Sequence, residues 1–178
     1  MKAIPTHYKG RIFRSRLEAR WACWLDALGI EWDYEPEGFE FFGGRRYLPD
    51  FYIPAWNVYI EIKPRLKRGD PDRIEAREPC WTLFTNSGTQ VLLIFGNPWT
   101  GEYEIEPMGW LAFAHSTFGQ CRKCPNVWLI EDDGSSATML GTRACSREGD
   151  KHPLTGESAH DLVKAFRAAS SARFEFGE

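Results

Sequence analysis

The segment YLPDFYIPAWNVYIEIK, residues 47 to 63, constrains the fold of this chain more than any other stretch. Two runs rich in β-branched and aromatic residues, Tyr47 to Ile53 and Val58 to Lys63, flank Pro54-Ala55-Trp56-Asn57. Runs of that composition bounded by turn residues predict an antiparallel hairpin. With the turn centred on Ala55-Trp56, Ile53 pairs with Val58, and the same register sets Asp50 opposite Glu61. Side chains alternate along a strand, so Glu61 and Lys63 share one face while Ile60 and Ile62 take the other. Directly opposed residues hold their Cβ atoms roughly 4.5–5.5 Å apart. The hairpin therefore brings two carboxylates and an amine to one spot.

Opposed carboxylates destabilise a bare sheet. A divalent cation offsets that repulsion, and carboxylate oxygens are the ligands Mg²⁺ prefers. Such an ion polarises a phosphoryl oxygen and lowers the pKa of a bound water. Lys63 is placed to orient that water or to stabilise charge developing on phosphorus. The chemistry indicated is phosphodiester hydrolysis. A D…ExK pattern by itself is common, and the plain alternative is a solvated polar face. The matched register and a neighbouring helix favour the site.

That helix is expected over residues 15 to 29. Ser15 is a good N-cap, Glu18 completes a capping-box pattern, and Gly29 is a C-terminal stop. Leu17, Trp21, Trp24, Leu25 and Leu28 recur at helical spacing and define a buried stripe. Glu18 lies at the edge of that stripe. It reads equally well as a carboxylate reaching over the sheet toward a metal and as the capping partner of Ser15 alone.

Further strands are expected near Trp32 to Glu35 and around Phe39 to Phe42, turned at Gly43-Gly44. Asp70 and Pro71 start a helix over about residues 71 to 86, which Pro79 should kink or interrupt. The apolar run Gln90 to Phe95 fits an interior strand buried on both faces, and Tyr103 to Glu106 an edge strand. A last helix spans Ala159 to Phe174. The expected class is α/β: a mixed sheet flanked by helices, with a small Cys-rich C-terminal appendage. The divisions are a core over 1–115, a cysteine segment over 116–156, and a helix over 157–178 packing on the core.

The residues RSRLEARW, YEPEGF and YLPDFYIP, with Pro49-Asp50 and Glu61-Ile62-Lys63, resemble the PD-(D/E)XK nuclease superfamily. The closer resemblance is to small phage-type members, junction-resolving endonucleases and the end-cleaving nuclease subunits of some transposons. It covers about residues 8 to 96. The resemblance implies a restriction-endonuclease-like fold and a metal-dependent DNA endonuclease. It implies that Asp50 and Glu61 hold one or two Mg²⁺ or Mn²⁺ ions, with the Ile62 carbonyl as a further ligand. Glu18 would assist the metal site, and Lys63 would be the catalytic lysine.

The net charge of −3 does not advertise nucleic-acid binding, but it hides local clusters. Arg14, Arg16 and Arg20 crowd the Glu18 end of the expected site, and Arg65, Lys67 and Arg68 follow Lys63. These are the candidate phosphate contacts to DNA. Tyr47 and Trp56 are candidates for stacking on unpaired bases.

Five cysteines and no apolar leader argue against a disulfide framework. Cys121 and Cys124 form a CxxC with Cys145 downstream, a spacing suited to structural Zn²⁺ with His152 as fourth ligand. Three unrelated thiols are the alternative. No apolar run approaches the roughly 20 residues of a membrane helix. The expected location is the cytoplasm, that of the host if the chain is phage-encoded. Two rival functions stay open: a DNA-binding or adaptor protein acting through the cysteine segment, and a resolvase- or transposon-type subunit active only with a partner. A homodimer would supply the two sites needed to cut two strands.

Overall fold

The computed structural model describes residues 3–109, 116–121, 126–131, 137–140, 154–155 and 159–176. The chain begins with a hairpin the sequence reading did not anticipate, β1 (Thr6–Tyr8) and β2 (Arg11–Phe13). Its two turn residues, Lys9 and Gly10, both have positive φ, the geometry that matches strand twist in two-residue hairpins. Helix α1 (Arg16–Ala27) follows, with the Ser15 side chain accepting from the Glu18 N–H as its N-cap. Trp21, Trp24 and Leu25 are buried along the expected stripe.

Next come β3 (Asp33–Tyr34), β4 (Phe39–Glu40), β5 (Arg46–Tyr47), β6 (Phe51–Ile53) and β7 (Val58–Lys63). Helix α2 (Pro71–Ser87) links β7 to β8 (Gln90–Gly96), and β9 (Tyr103–Met108) returns beside it. The remaining elements are β10 (Ser116–Cys121), β11 (Val127–Glu131), β12 (Ala137–Met139), β13 (Leu154–Thr155), α3 (His160–Ser171) and β14 (Glu175–Phe176).

The central sheet runs β12-β11-β10-β9-β8-β7-β6-β3, with β13 also paired to β10. It is mixed: β7 and β8 are parallel, joined by the α2 crossover, while β6–β7 and β8–β9 are antiparallel. One face carries α1 and α3, with Ile60, Ile62, Leu92 and Ile94 beneath them. The other carries α2 over Tyr59, Val91, Leu93 and Phe95. Strand β8 therefore sends alternate side chains into two cores, which is why its sequence is apolar throughout.

Four expectations need correction or refinement. The run Tyr47 to Ile53 is not one strand. It divides at Leu48-Pro49, where proline offers no N–H for a ladder; β5 pairs with β4 in a separate hairpin, and β6 joins the central sheet. Pro79 does not interrupt α2, which is continuous because Ala76, Cys80 and Leu83 pack it onto the sheet. Strand β9 is interior and not an edge, since β10 pairs with it through Ser116 and Ile105. The described strands of the cysteine segment continue the central sheet from β9 outward. Among the described residues no helix is long and apolar enough to cross a membrane.

Candidate functional site

The hairpin has the expected register: Ile53 pairs with Val58, Tyr52 with Tyr59 and Phe51 with Ile60. Asp50 lies one residue beyond the last pair, opposite Glu61. Its Oδ2 accepts the Ile62 N–H at 2.7 Å, which pins the carboxylate to the end of β7. Asp50 and Glu61 are both buried, at 2% and 4% exposure. The Tyr47 hydroxyl donates to Glu61 Oε2 at 3.0 Å, and Lys63 Nζ donates to Glu61 Oε1. Sheet alternation and one turn thus bring Asp50, Glu61 and Lys63 together.

Glu18 arrives from the other layer. The Ser15 and Tyr34 hydroxyls donate to its carboxylate, each at 2.6 Å, and the Arg14 N–H donates at 3.1 Å. It therefore takes part in capping α1 and also stands near enough to Asp50 to raise that residue's proton affinity. The two readings of Glu18 are not exclusive.

Burial first, then the negative charges of Glu61 and Glu18, push the Asp50 carboxyl well above its usual range; the Ile62 N–H and Lys63 pull partly against them. Burial works against the Lys63 ammonium, but attraction to Glu61 outweighs it, so Lys63 keeps its proton above the usual lysine range. Cys80, buried beside the Tyr47 hydroxyl at 3.4 Å, has its thiol pushed up to about 12 by burial and by Glu61.

The basic residues divide. Arg14 turns inward, with Nη2 2.7 Å from Asp50 Oδ1 and Nε 2.5 Å from Glu35 Oε1. Glu35 itself has a left-handed backbone, φ 47°, and its N–H donates to the Asp50 carbonyl. Arg16 and Arg20 are half-buried on α1. In the loop after Lys63, Arg65 donates to the Gly101 carbonyl, Lys67 is exposed, and Arg68 lies 3.7 Å from Glu104. Tyr47 cannot stack on a base, because it is buried and committed to Glu61. Trp56 packs against the core near Phe118.

A cleft of about 410 Å³ opens beside the site, lined by Arg45, Tyr47, Glu61, Lys63 and Leu66 among others. Deeper under α2, Arg73 is buried between Glu104 and Glu106 and over the Phe95 ring. Sequence reasoning missed Glu35, Tyr34 and Arg73, and gave Arg14 and Tyr47 other roles. Each partnership joins residues from elements whose proximity no local pattern announces. Of the candidate zinc ligands, Cys121 is the last residue of β10, and its side chain, like Cys124, Cys145 and His152, lies outside the described residues.

Among the described residues no three His, Cys, Asp or Glu side chains form a ready-made metal cage. Every carboxylate oxygen of Asp50 and Glu61 has a protein partner: Arg14 and the Ile62 N–H for Asp50, Lys63 and Tyr47 for Glu61. No protein-family model matches the chain, and no curated protein matches it.

Proposed function

We propose that this chain is a Mg²⁺- or Mn²⁺-dependent DNA endonuclease of the PD-(D/E)XK kind with a restriction-endonuclease-like fold. The observation that carries the reading is the trio of two buried carboxylates, Asp50 and Glu61, and the half-buried Lys63, held in one place by the β6–β7 register and the Ile62 N–H. Isolated buried carboxylates are costly unless paired or bound to metal.

The donor set fits a divalent cation. Among the described contacts, Glu18, Glu35, Asp50 and Glu61 are set against the cations Arg14 and Lys63, an excess of two formal negative charges. Burial first, and then the charges of Glu61 and Glu18, raise the proton affinity of Asp50. Asp50 and Glu61 would hold the ion, with Glu18 and the Ile62 carbonyl assisting. When bound, it would supply Lewis-acid polarisation of the phosphodiester.

The protein's own groups do the rest. Lys63 Nζ, kept protonated by Glu61, donates to a phosphoryl oxygen and stabilises charge developing there. Tyr47 holds the Glu61 side chain in one orientation, and the Ile62 N–H does the same for Asp50. Arg16, Arg20, Arg65, Lys67 and Arg68 contact backbone phosphates without reading sequence, while Arg14 is held inward by Asp50 and Glu35.

The test is cleavage of plasmid, branched and single-stranded DNA with Mg²⁺ or Mn²⁺, comparing the wild type with Asp50→Ala and Lys63→Ala. Loss of metal-dependent cutting in both variants supports the site. Cutting by both at wild-type rates would sink it. DNA binding by the wild type without turnover would favour the adaptor reading, and turnover that appears only when a partner protein is added would favour the partner-dependent one.

A further inference from the structure

The hairpin formed by β4 and β5 carries a feature the hydrolytic site does not use. At its tip, Phe42 is fully exposed, the most exposed large apolar side chain among the described residues. Its neighbour Phe41 is buried. A phenyl ring left in water forgoes roughly 2–3 kcal/mol of burial, and here the backbone holds it out. The Phe41 carbonyl accepts the Gly44 N–H at 3.0 Å, closing a turn with Phe42 and Gly43 at its corners. Gly43 and Gly44 have φ of 88° and 78°, a left-handed path that favours glycine.

The tip is tied to the site. Phe41 packs on Tyr47 with ring centroids 6.0 Å apart, and Phe39 meets Tyr59 edge-on at 5.4 Å. Tyr47 in turn donates to Glu61. Arg45, three residues beyond Phe42, lines the same cleft as Glu61 and Lys63. Three residues of chain span at most about 10 Å, so the Phe42 backbone lies within that reach of a residue that lines the cleft.

The charge beside the ring argues for its partner. Arg45 and Arg46 follow the glycines. Their ion pairs, Arg45 with Glu78 at 2.6 Å and Arg46 with Glu40 at 3.6 Å, join exposed groups. Exposed pairs are worth about 0–1 kcal/mol, so phosphates can replace the carboxylates. An aromatic face next to guanidinium groups matches a nucleotide, whose base offers a π-face and whose phosphate offers an anion.

We propose that this hairpin is a base-stacking wedge: Phe42 stacks on a base left unpaired at a bulge, branch or strand end of DNA, with Arg45 and Arg46 on the flanking phosphates. The proposal rests on the nuclease reading and adds to it the class of DNA that the site prefers. A base inside an intact duplex is already stacked on its neighbours, whereas an unpaired base has a face to offer.

The experiment uses the full chain carrying Asp50→Asn, so that bound DNA stays intact. Affinity is measured for a short duplex and for the same duplex with a bulge containing 2-aminopurine. Stacking on an aromatic side chain is worth about 1–3 kcal/mol per base, which is a change of roughly 5- to 150-fold. Adding Phe42→Ala should reduce the preference for the bulge by about that factor and abolish the change in 2-aminopurine emission on binding. Adding Phe42→Trp instead should preserve both. The position is solvent-exposed, so these substitutions should leave the unfolding midpoint unchanged. A Phe42→Ala protein that keeps the full preference, or loses affinity equally for both DNAs, overturns the wedge but not the nuclease. Failure of the parent protein to bind either DNA overturns both.

Discussion

Asp50→Asn should make the metal-free protein more stable at neutral pH while removing its activity. Asp50, Glu61 and Glu18 are all buried and share a small volume. Two charges at the cross-strand spacing of about 5 Å repel by about 3 kcal/mol at an effective dielectric of about 20. Neutralising Asp50 removes that term. Against it stands the ion pair with Arg14, whose side chain is 53% exposed. Screening limits such a pair to about 1 kcal/mol. The asparagine carbonyl oxygen can still accept the Ile62 N–H. The net expectation is about 2 kcal/mol in favour of the variant, or a midpoint rise of about 4–8 °C for a chain of this size.

The pH dependence follows from the direction of the Asp50 shift. Its folded-state pKa lies above the unfolded value of about 3.9. Between the two values the folded state binds more protons, so stability falls as pH rises through that window. The penalty is absent below the unfolded value and full above the folded one. Unfolding followed in EDTA at pH 8 should therefore show the gap between variant and wild type, and the gap should close toward pH 4. Mn²⁺ at 100 times its dissociation constant should stabilise the wild type by about 2.7 kcal/mol and the variant far less. A variant less stable than wild type at pH 8 in EDTA, or a gap independent of pH, would refute the electrostatic account of the site.

Three other outcomes are expected. Arg14→Ala removes a cation that competes for Asp50, so Mn²⁺ binding followed by electron paramagnetic resonance should tighten about 5-fold, the equivalent of about 1 kcal/mol; unchanged or weaker binding would mean Arg14 does not compete. Arg73→Leu strips the buried partner from Glu104 and Glu106 and should lower stability by about 3–5 kcal/mol in urea titrations; a loss under about 1 kcal/mol would show that Arg77, 3.1 Å from Glu106, suffices alone. The thiols of Cys23 and Cys80 are buried and pushed up chiefly by burial. Alkylation at pH 8 with peptide mapping should leave both unmodified until urea is added, and rapid native labelling of either would contradict the packing.

The legible part of this protein was the part governed by local period. Alternation along 47 to 63 located the turn and the register, and hence the meeting of Asp50, Glu61 and Lys63. Helical phase with Ser15 as cap located α1 and put Glu18 at the edge of its apolar stripe, where it is buried. The unbroken apolar run of β8 told of two covered faces. Where local rules failed, packing had overruled them. Pro79 stays inside α2 because the helix is held by its buried face. Tyr47 leaves the strand run because Pro49 has no N–H to offer, and it reaches Glu61 from a second hairpin.

By itself, then, the sequence determined which groups share a face of the β6–β7 hairpin and where α1 begins, since these depend on neighbours a few positions away. Only the tertiary structure decided that Arg14 and Glu35 close over Asp50, that Tyr34 holds Glu18, and that Arg73 is buried between two glutamates. Those contacts join residues 16 to 36 positions apart. Their existence depends on how layers stack, a property that burial and electrostatics settle across the whole chain and that no single periodicity encodes.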